Sequence, residues 1–220
     1  MNILITGTAS GIGRAAAEKF LREGHRVFGI DRAEAAAPAA EHPAYRHFRQ
    51  DVRDPLPCLD GANAPHILIS CAGSLEEEEA VAVHLEAVMR LTETYENSPV
   101  LRSVLYIASA SARNGAEFPR YVAAKAGLVG YMKNRALTLA ARGITVNSLS
   151  PGGVVTPANR HILDSEELYA AVKAETLLGK WAAPEEIAEF AYFMTVINRS
   201  ATGEDLLIDN GEMLKSNFIW

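Results

Sequence analysis

Thr6-Gly7-Thr8-Ala9-Ser10-Gly11-Ile12-Gly13 constrains this chain more than any other segment. The apolar run Asn2–Thr6 leads straight into it. Arg14–Glu23 follows at helical spacing, with Ala17, Phe20 and Leu21 on one side and Gly24 as a stop. A strand that turns directly into a helix needs glycine where the backbone is strained, where it approaches a ligand, and where helix meets strand. The helix start then offers free N–H groups and positive potential to a phosphate. Gly7, Ser10, Gly11, Ile12 and Gly13 are therefore the expected pyrophosphate contacts, in Gly-x-x-x-Gly-x-Gly spacing rather than the commoner Gly-x-Gly-x-x-Gly.

The rest of the chain repeats the strand-then-helix pattern. Strands are expected at Arg26–Ile30, Ile67–Ser70, Ser103–Ala108, Ile144–Leu149 and Asp205–Ile208, and helices at Leu75–Asn97, Tyr121–Ala141 and Pro184–Met194. The strands are continuously apolar rather than alternating, which indicates a parallel sheet covered on both faces. The fold class is thus α/β, a doubly wound parallel sheet with helices on both faces. No linker or repeat divides the 220 residues, so 1–220 reads as one domain. Glu34–His42 reads as a loop or short helix, and the four acids Glu76–Glu79 as a solvated first helical turn.

Charge and cysteine usage narrow the classes of function. A net charge of −6 offers no basic excess for a nucleic-acid partner. Cys58 and Cys71 have no CxxC spacing and read as thiols of a reducing compartment. No apolar run reaches the ~20 residues of a membrane span, and the opening residues lack a leader pattern. The expectation is a soluble cytoplasmic protein with no membrane partner. The histidines show no metal-ligand spacing, so no metal is expected.

Asp31 sits just after the second strand, 18 residues beyond Gly13. A carboxylate there accepts hydrogen bonds from both hydroxyls of an adenosine ribose and repels a 2′-phosphate, which favours NAD over NADP. Arg32 argues the other way, because a guanidinium can hold that phosphate. Tyr121 and Lys125 are four residues apart on one helix face. A lysine cation beside a phenol stabilises the phenolate and lowers its pKa, enabling proton transfer near neutrality. Ser109, 12 residues before Tyr121, can donate to a substrate oxygen that gains charge, and Ser111 is a rival for that role.

Thr6-Gly-x-x-x-Gly-Ile-Gly13, Ser109, Tyr121-x-x-x-Lys125, Asn147 and Pro151-Gly152 occur in the order seen in short-chain dehydrogenases/reductases, which this chain resembles from Ile3 to about Gly211. Cys71-Ala72-Gly73 resembles that family's Asn-Ala-Gly, Asp51-Val52 its adenine-contacting pair, and Asp209-Asn210-Gly211 its C-terminal Asp-Gly-Gly. The resemblance implies a Rossmann-like domain that transfers a hydride at a nicotinamide, interconverting a secondary alcohol and a ketone. Tyr121 would be the acid–base and Ser109 the substrate-oxygen donor. Lys125 would tune Tyr121 and hold the nicotinamide ribose. Asp51 and Val52 would meet the adenine, and Cys71, Ala72 and Gly73 would line the cofactor path. Val154 and Thr156, following Pro151 and Gly152, would contact the carboxamide.

The chain departs from the family pattern in two places. His84 stands in the place of a catalytic asparagine, only 10 residues after Gly73 rather than the longer family interval. It could hydrogen-bond a water, relay a proton, or merely pack. Cys71 replaces the usual amide. These departures keep a non-catalytic dinucleotide sensor or scaffold open as an alternative. An NADP-dependent 3-oxoacyl reductase is another, with Arg113 and Arg120 as rim cations; a sugar-nucleotide epimerase would need a longer chain. Residues 157–180 are the expected substrate lid, whose mixed side chains suit a moderately apolar alcohol. By the resemblance, the helices at Leu75–Asn97 and Tyr121–Ala141 would pair in a homodimer or homotetramer, through Val88, Leu91, Leu128, Tyr131, Met132 and Leu137. Asn217–Trp220 would dock on a neighbour.

Overall fold

Seven parallel strands form one sheet in the order β3-β2-β1-β4-β5-β6-β7 in a computed structural model that describes residues 1–35, 37–74 and 76–214. The strands are β1 (Asn2–Thr6), β2 (Arg26–Asp31), β3 (Tyr45–Arg49), β4 (Ile67–Ser70), β5 (Ser103–Ile107), β6 (Thr145–Pro151) and β7 (Asp205–Ile208). The sequence reading missed β3. Its five residues mix two aromatics with two arginines and a histidine, and none is fully buried, because it is an edge strand. The strand order reverses between β1 and β4, so the cleft of this sheet opens beyond their C-terminal ends.

Successive residues of each strand serve opposite faces. Ile3 and Ile5 join α1 (Gly11–Arg22) and α7 (Pro184–Tyr192) in one core, while Leu4 joins α2 (Ala87–Tyr95) and α4 (Pro119–Leu139) in the other. Between these come α3 (Ser111–Asn114), α5 (Arg160–Leu163) and α6 (Glu166–Ala174), so the expected lid at 157–180 carries two short helices. The expected helix 75–97 is not continuous. A 3-10 turn, Glu77–Glu79, is followed by a π turn, Ala82–Glu86, which runs into α2; Leu75 lies outside the described residues. A second π turn, Phe193–Ile197, ends α7.

One correction concerns assembly. Val88, Leu91, Leu128 and Met132 are buried in the chain's own α2–α4 core and cannot form a seam; of that set Leu137 is 80% exposed. Asn217–Trp220 lies outside the described residues. Among the described residues no helix is long and apolar enough to cross a membrane.

The glycine turn is set by contact. Gly7 has φ +77°, and a Cβ there would lie 2.8 Å from the Ala72 backbone at the end of β4. A Cβ on Gly13 would lie 2.1 Å from the Gly7 carbonyl oxygen, within α1's first turn. Gly130, midway along α4, has open space instead. Gly13→Ala should therefore cost about 3 kcal/mol or more, while Gly130→Ala should gain up to about 1 kcal/mol of helix propensity. Urea unfolding of the two variants checks both signs.

Candidate active site

The cleft floor is built where β1 meets β4. Thr6 Oγ1 accepts the N–H groups of Cys71 and Ala72, each at 3.1 Å, tying the glycine turn to the Cys71-Ala72-Gly73 strand end. Above it begins α1, whose first turn carries no acid and whose Ser10 N-cap makes no side-chain capping bond. Thr156 comes close to Gly11, its Cγ2 3.3 Å from where a Cβ would stand. Val154 is buried and bridges to Ala182. Gly152, after Pro151, packs on Asp209 and Glu212. The glycine cradle, the unclaimed helix start and the strand-end carboxylate together fit a dinucleotide's phosphates and ribose.

Asp31 lines this cleft with Gly7, Arg32, Asp51, Val52, Ala72, Gly73, Ser74, Glu79 and Val83. One Asp31 oxygen accepts from Ala9 N and the other from Ala33 N, both at 2.9 Å. Each retains a second lone pair for a ligand hydroxyl. Asp51 is gripped by Arg53, whose Nε donates to Oδ1 at 2.9 Å and Nη2 to Oδ2 at 2.8 Å. That hydrogen bonding holds its carboxyl down at about 2. Arg53 also donates to Glu79 Oε1 at 3.0 Å, and Ser74 Oγ donates to Glu79 Oε2 at 2.9 Å. Glu79 is thus a cleft residue, not the solvated acid that its place in a run of four suggested. No local signal marks it, because its partners come from three separate segments.

Tyr121, Lys125, Ser109 and Ser111 do come together. Ser109 Oγ and Ser111 Oγ are 2.8 Å apart, both buried. Lys125 Nζ donates to Ile107 O at 2.7 Å and stands 5.6 Å from the Tyr121 ring centre. Burial brings the Lys125 ammonium down to about 8, opposed by Cys71 and Glu117. Tyr121 runs against expectation. Burial pushes its hydroxyl up to about 12; Ser109 opposes this and Glu117 adds to it, so desolvation outweighs the nearby cation in the folded chain. Glu117, absent from the sequence reading, has φ +83° and couples to Ser111 and Lys125 beside the site. Its carboxyl is raised by burial.

His84 sits on the π turn and is 4% exposed. Its ring meets the Tyr121 ring edge to face at 5.0 Å. Nε2 faces both the Ser74 N–H (3.2 Å) and the Ser74 carbonyl (3.0 Å), while buried Nδ1 has no partner among the described residues. Burial, then the Lys125 charge, pushes the imidazole down to about 3. His84 is therefore a neutral ring touching the candidate acid–base. Cys71 has a buried thiol pushed up to about 12, which makes it an inert wall.

Of the two proposed rim cations Arg113 is already engaged, whereas Arg120 brings only its backbone N–H to an acid. Arg113 pairs with Asp205 at 2.8 Å, and Asp205 also accepts from Ser148 and Ser150. Arg120 N lies 3.3 Å from Glu77 Oε1. Among the described residues no three His, Cys, Asp or Glu side chains gather to hold a metal.

Comparison with known proteins gives matches along the whole chain. Residues 72–212 match the family model described as enoyl-(acyl carrier protein) reductase. Residues 3–119 match the NAD dependent epimerase/dehydratase family, a match that stops before Tyr121. L-rhamnose 1-dehydrogenase (NADP(+)) of Thermoplasma acidophilum is 27% identical over 97% of this chain and 96% of its own. Short-chain dehydrogenase/reductase cdmF of Talaromyces verruculosus is 30% identical, over 87% of this chain and 88% of its own. The solved structure of 4-hydroxyisoleucine dehydrogenase complexed with NADH shares the fold. Its TM-score is 0.85 at 24% identity, covering 98% of this chain and 99% of that one.

The depressed His84 pKa sets a stability window. With the unfolded value near 6.5 and the folded one at about 3, the unfolded chain binds the extra proton between them. This contribution is complete above pH 6.5 and is lost as pH falls toward 3. His84→Gln should flatten that part of the pH–stability curve, measured by urea midpoints from pH 7 to 4. An unchanged slope would show that His84 does not carry it.

Proposed function

The chain belongs to the short-chain dehydrogenase/reductase family, and on that premise we propose that it is an NAD-dependent oxidoreductase interconverting a secondary alcohol and a ketone. The observation that carries this is the convergence of Ser109, Tyr121 and Lys125 beside the cleft that Gly7 and Asp31 line. Bound at that cleft, a nicotinamide supplies hydride exchange with the substrate carbon. Ser109 donates to the substrate oxygen, and Tyr121 gives or takes the proton at that oxygen. Lys125, held by the Ile107 carbonyl, keeps two N–H groups for the Tyr121 side and a ribose. Its pKa of about 8 leaves it mostly charged at pH 7.

Asp31 supports NAD as the cofactor. The relatives do not decide the matter, since one is named for NADP(+) and one was solved with NADH. A 3-oxoacyl reductase reading gains nothing from Arg113, which Asp205 holds. The free thiols Cys58 and Cys71 support a reducing, cytoplasmic setting. We also read the chain as a homodimer or homotetramer, supported by exposed Leu137 on α4 and by Phe190, Phe193 and Ile197 around α7.

Tyr121→Phe should lower turnover by about 10²–10⁴-fold and leave NADH affinity within a few-fold. Lys125→Met should lose both. Ser109→Ala should cripple turnover far more than Ser111→Ala. Steady-state rates over a panel of alcohols and ketones, beside NADH fluorescence titration, read all four. Near-normal turnover of Tyr121→Phe with the chain's own substrate would overturn the mechanism. Light scattering at micromolar concentration should give a dimer or tetramer mass; a monomer refutes the assembly.

A further inference from the structure

We infer that Glu79 is a selectivity residue that disarms Arg32 and so keeps the cleft closed to a 2′-phosphate. This rests on the NAD reading above and deepens it. Two guanidinium groups, Arg32 and Arg53, stand at the cleft that also holds Asp31. Left free, such a pair would make a ready phosphate site, since guanidinium forks bind phosphate oxygens well. Neither is free. Arg53 is held by Asp51 through Nε and Nη2, and reaches Glu79 Oε1 at 3.0 Å through Nη1. Arg32 Nη1 stands 3.9 Å from Glu79 Oε2, at the outer limit of an ion pair.

Glu79 is held for this task from two sides. Ser74 Oγ donates to its Oε2 at 2.9 Å, and Ser74 is clasped through its own backbone by His84 Nε2. The 3-10 turn Glu77–Glu79 then delivers the carboxylate to the cleft wall. The local count is three carboxylates, Asp31, Asp51 and Glu79, against two guanidinium groups, Arg32 and Arg53. Removing the Glu79 charge cancels that excess and releases Arg32. Arg53 remains with Asp51. A 2′-phosphate would then meet an available arginine instead of a net negative wall.

Fluorescence titration of NADH and NADPH against the full chain tests this. Glu79→Gln should strengthen NADPH binding about tenfold and leave NADH within about threefold. Arg32→Ala added to Glu79→Gln should abolish that gain. Arg32→Ala alone should change NADPH binding little, because the Glu79 carboxylate beside that arginine offsets its charge; this arm does not depend on the Glu79 variant folding. An unaltered NADPH-to-NADH ratio in a folded Glu79→Gln protein overturns the role of Glu79. So does a gain that survives the double substitution, or a marked loss of NADPH affinity in Arg32→Ala alone. Tighter NADPH binding by the unmodified chain would instead overturn the NAD reading, and the role of Glu79 with it.

Discussion

The site depends on how closely the backbone of the glycine turn approaches the end of β4. Gly7 leaves no room for a Cβ against Ala72, and Thr6 Oγ1 takes the N–H groups of Cys71 and Ala72. These contacts hold two strands at the point where the sheet order reverses. α1 can then start over the cleft only because Gly13 sits against the Gly7 carbonyl. A buried N–H without a partner costs about 1–3 kcal/mol, so the Thr6 hydroxyl both closes the floor and satisfies it. The glycine-turn end of the cleft is therefore built from contacts within the chain itself.

The sequence showed the sheet wherever strands are buried on both faces. β1, β4, β5 and β6 read as continuous apolar runs, and the structure places them centrally. β3 escaped notice because an edge strand keeps arginines at Arg46 and Arg49, and its five residues carry neither a continuous apolar run nor an alternation. Ser109, Tyr121 and Lys125 were legible because their spacing is local and their order is distinctive. The role of Glu79 was not, since Ser74, Arg53 and Arg32 reach it from different stretches of chain. Nor could the proximity of Lys125 and Tyr121 reveal that burial, not the lysine charge, dominates the phenol.

The two ends of the cleft are mechanically joined. His84 touches Tyr121 and clasps Ser74; Ser74 holds Glu79; Glu79 meets Arg53, which grips Asp51. Ser74, Glu79 and His84, the middle links of this series, belong to the shortened interval from Gly73 to His84. The short segment therefore connects the region proposed for proton transfer to the region proposed to receive the adenosine. Its members differ in exposure. His84 is buried, whereas Arg53 and Arg32 are open to solvent, so salt screens the adenosine end far more than the Tyr121 end.

The π turn at Ala82–Glu86 has a consequence of a different kind. It carries one residue more than an α-helical turn would, and each helical residue rotates direction by about 100°. The turn thus acts as a vernier between the strap that begins at Ser74 and the helix that continues through Val88 and Leu91. Deleting a single residue here would leave every side chain of the site in the sequence and preserve α2. It would nonetheless swing His84 off the Tyr121 ring. Chain length at this turn, as much as residue identity, keeps the active site in phase with the core beneath it.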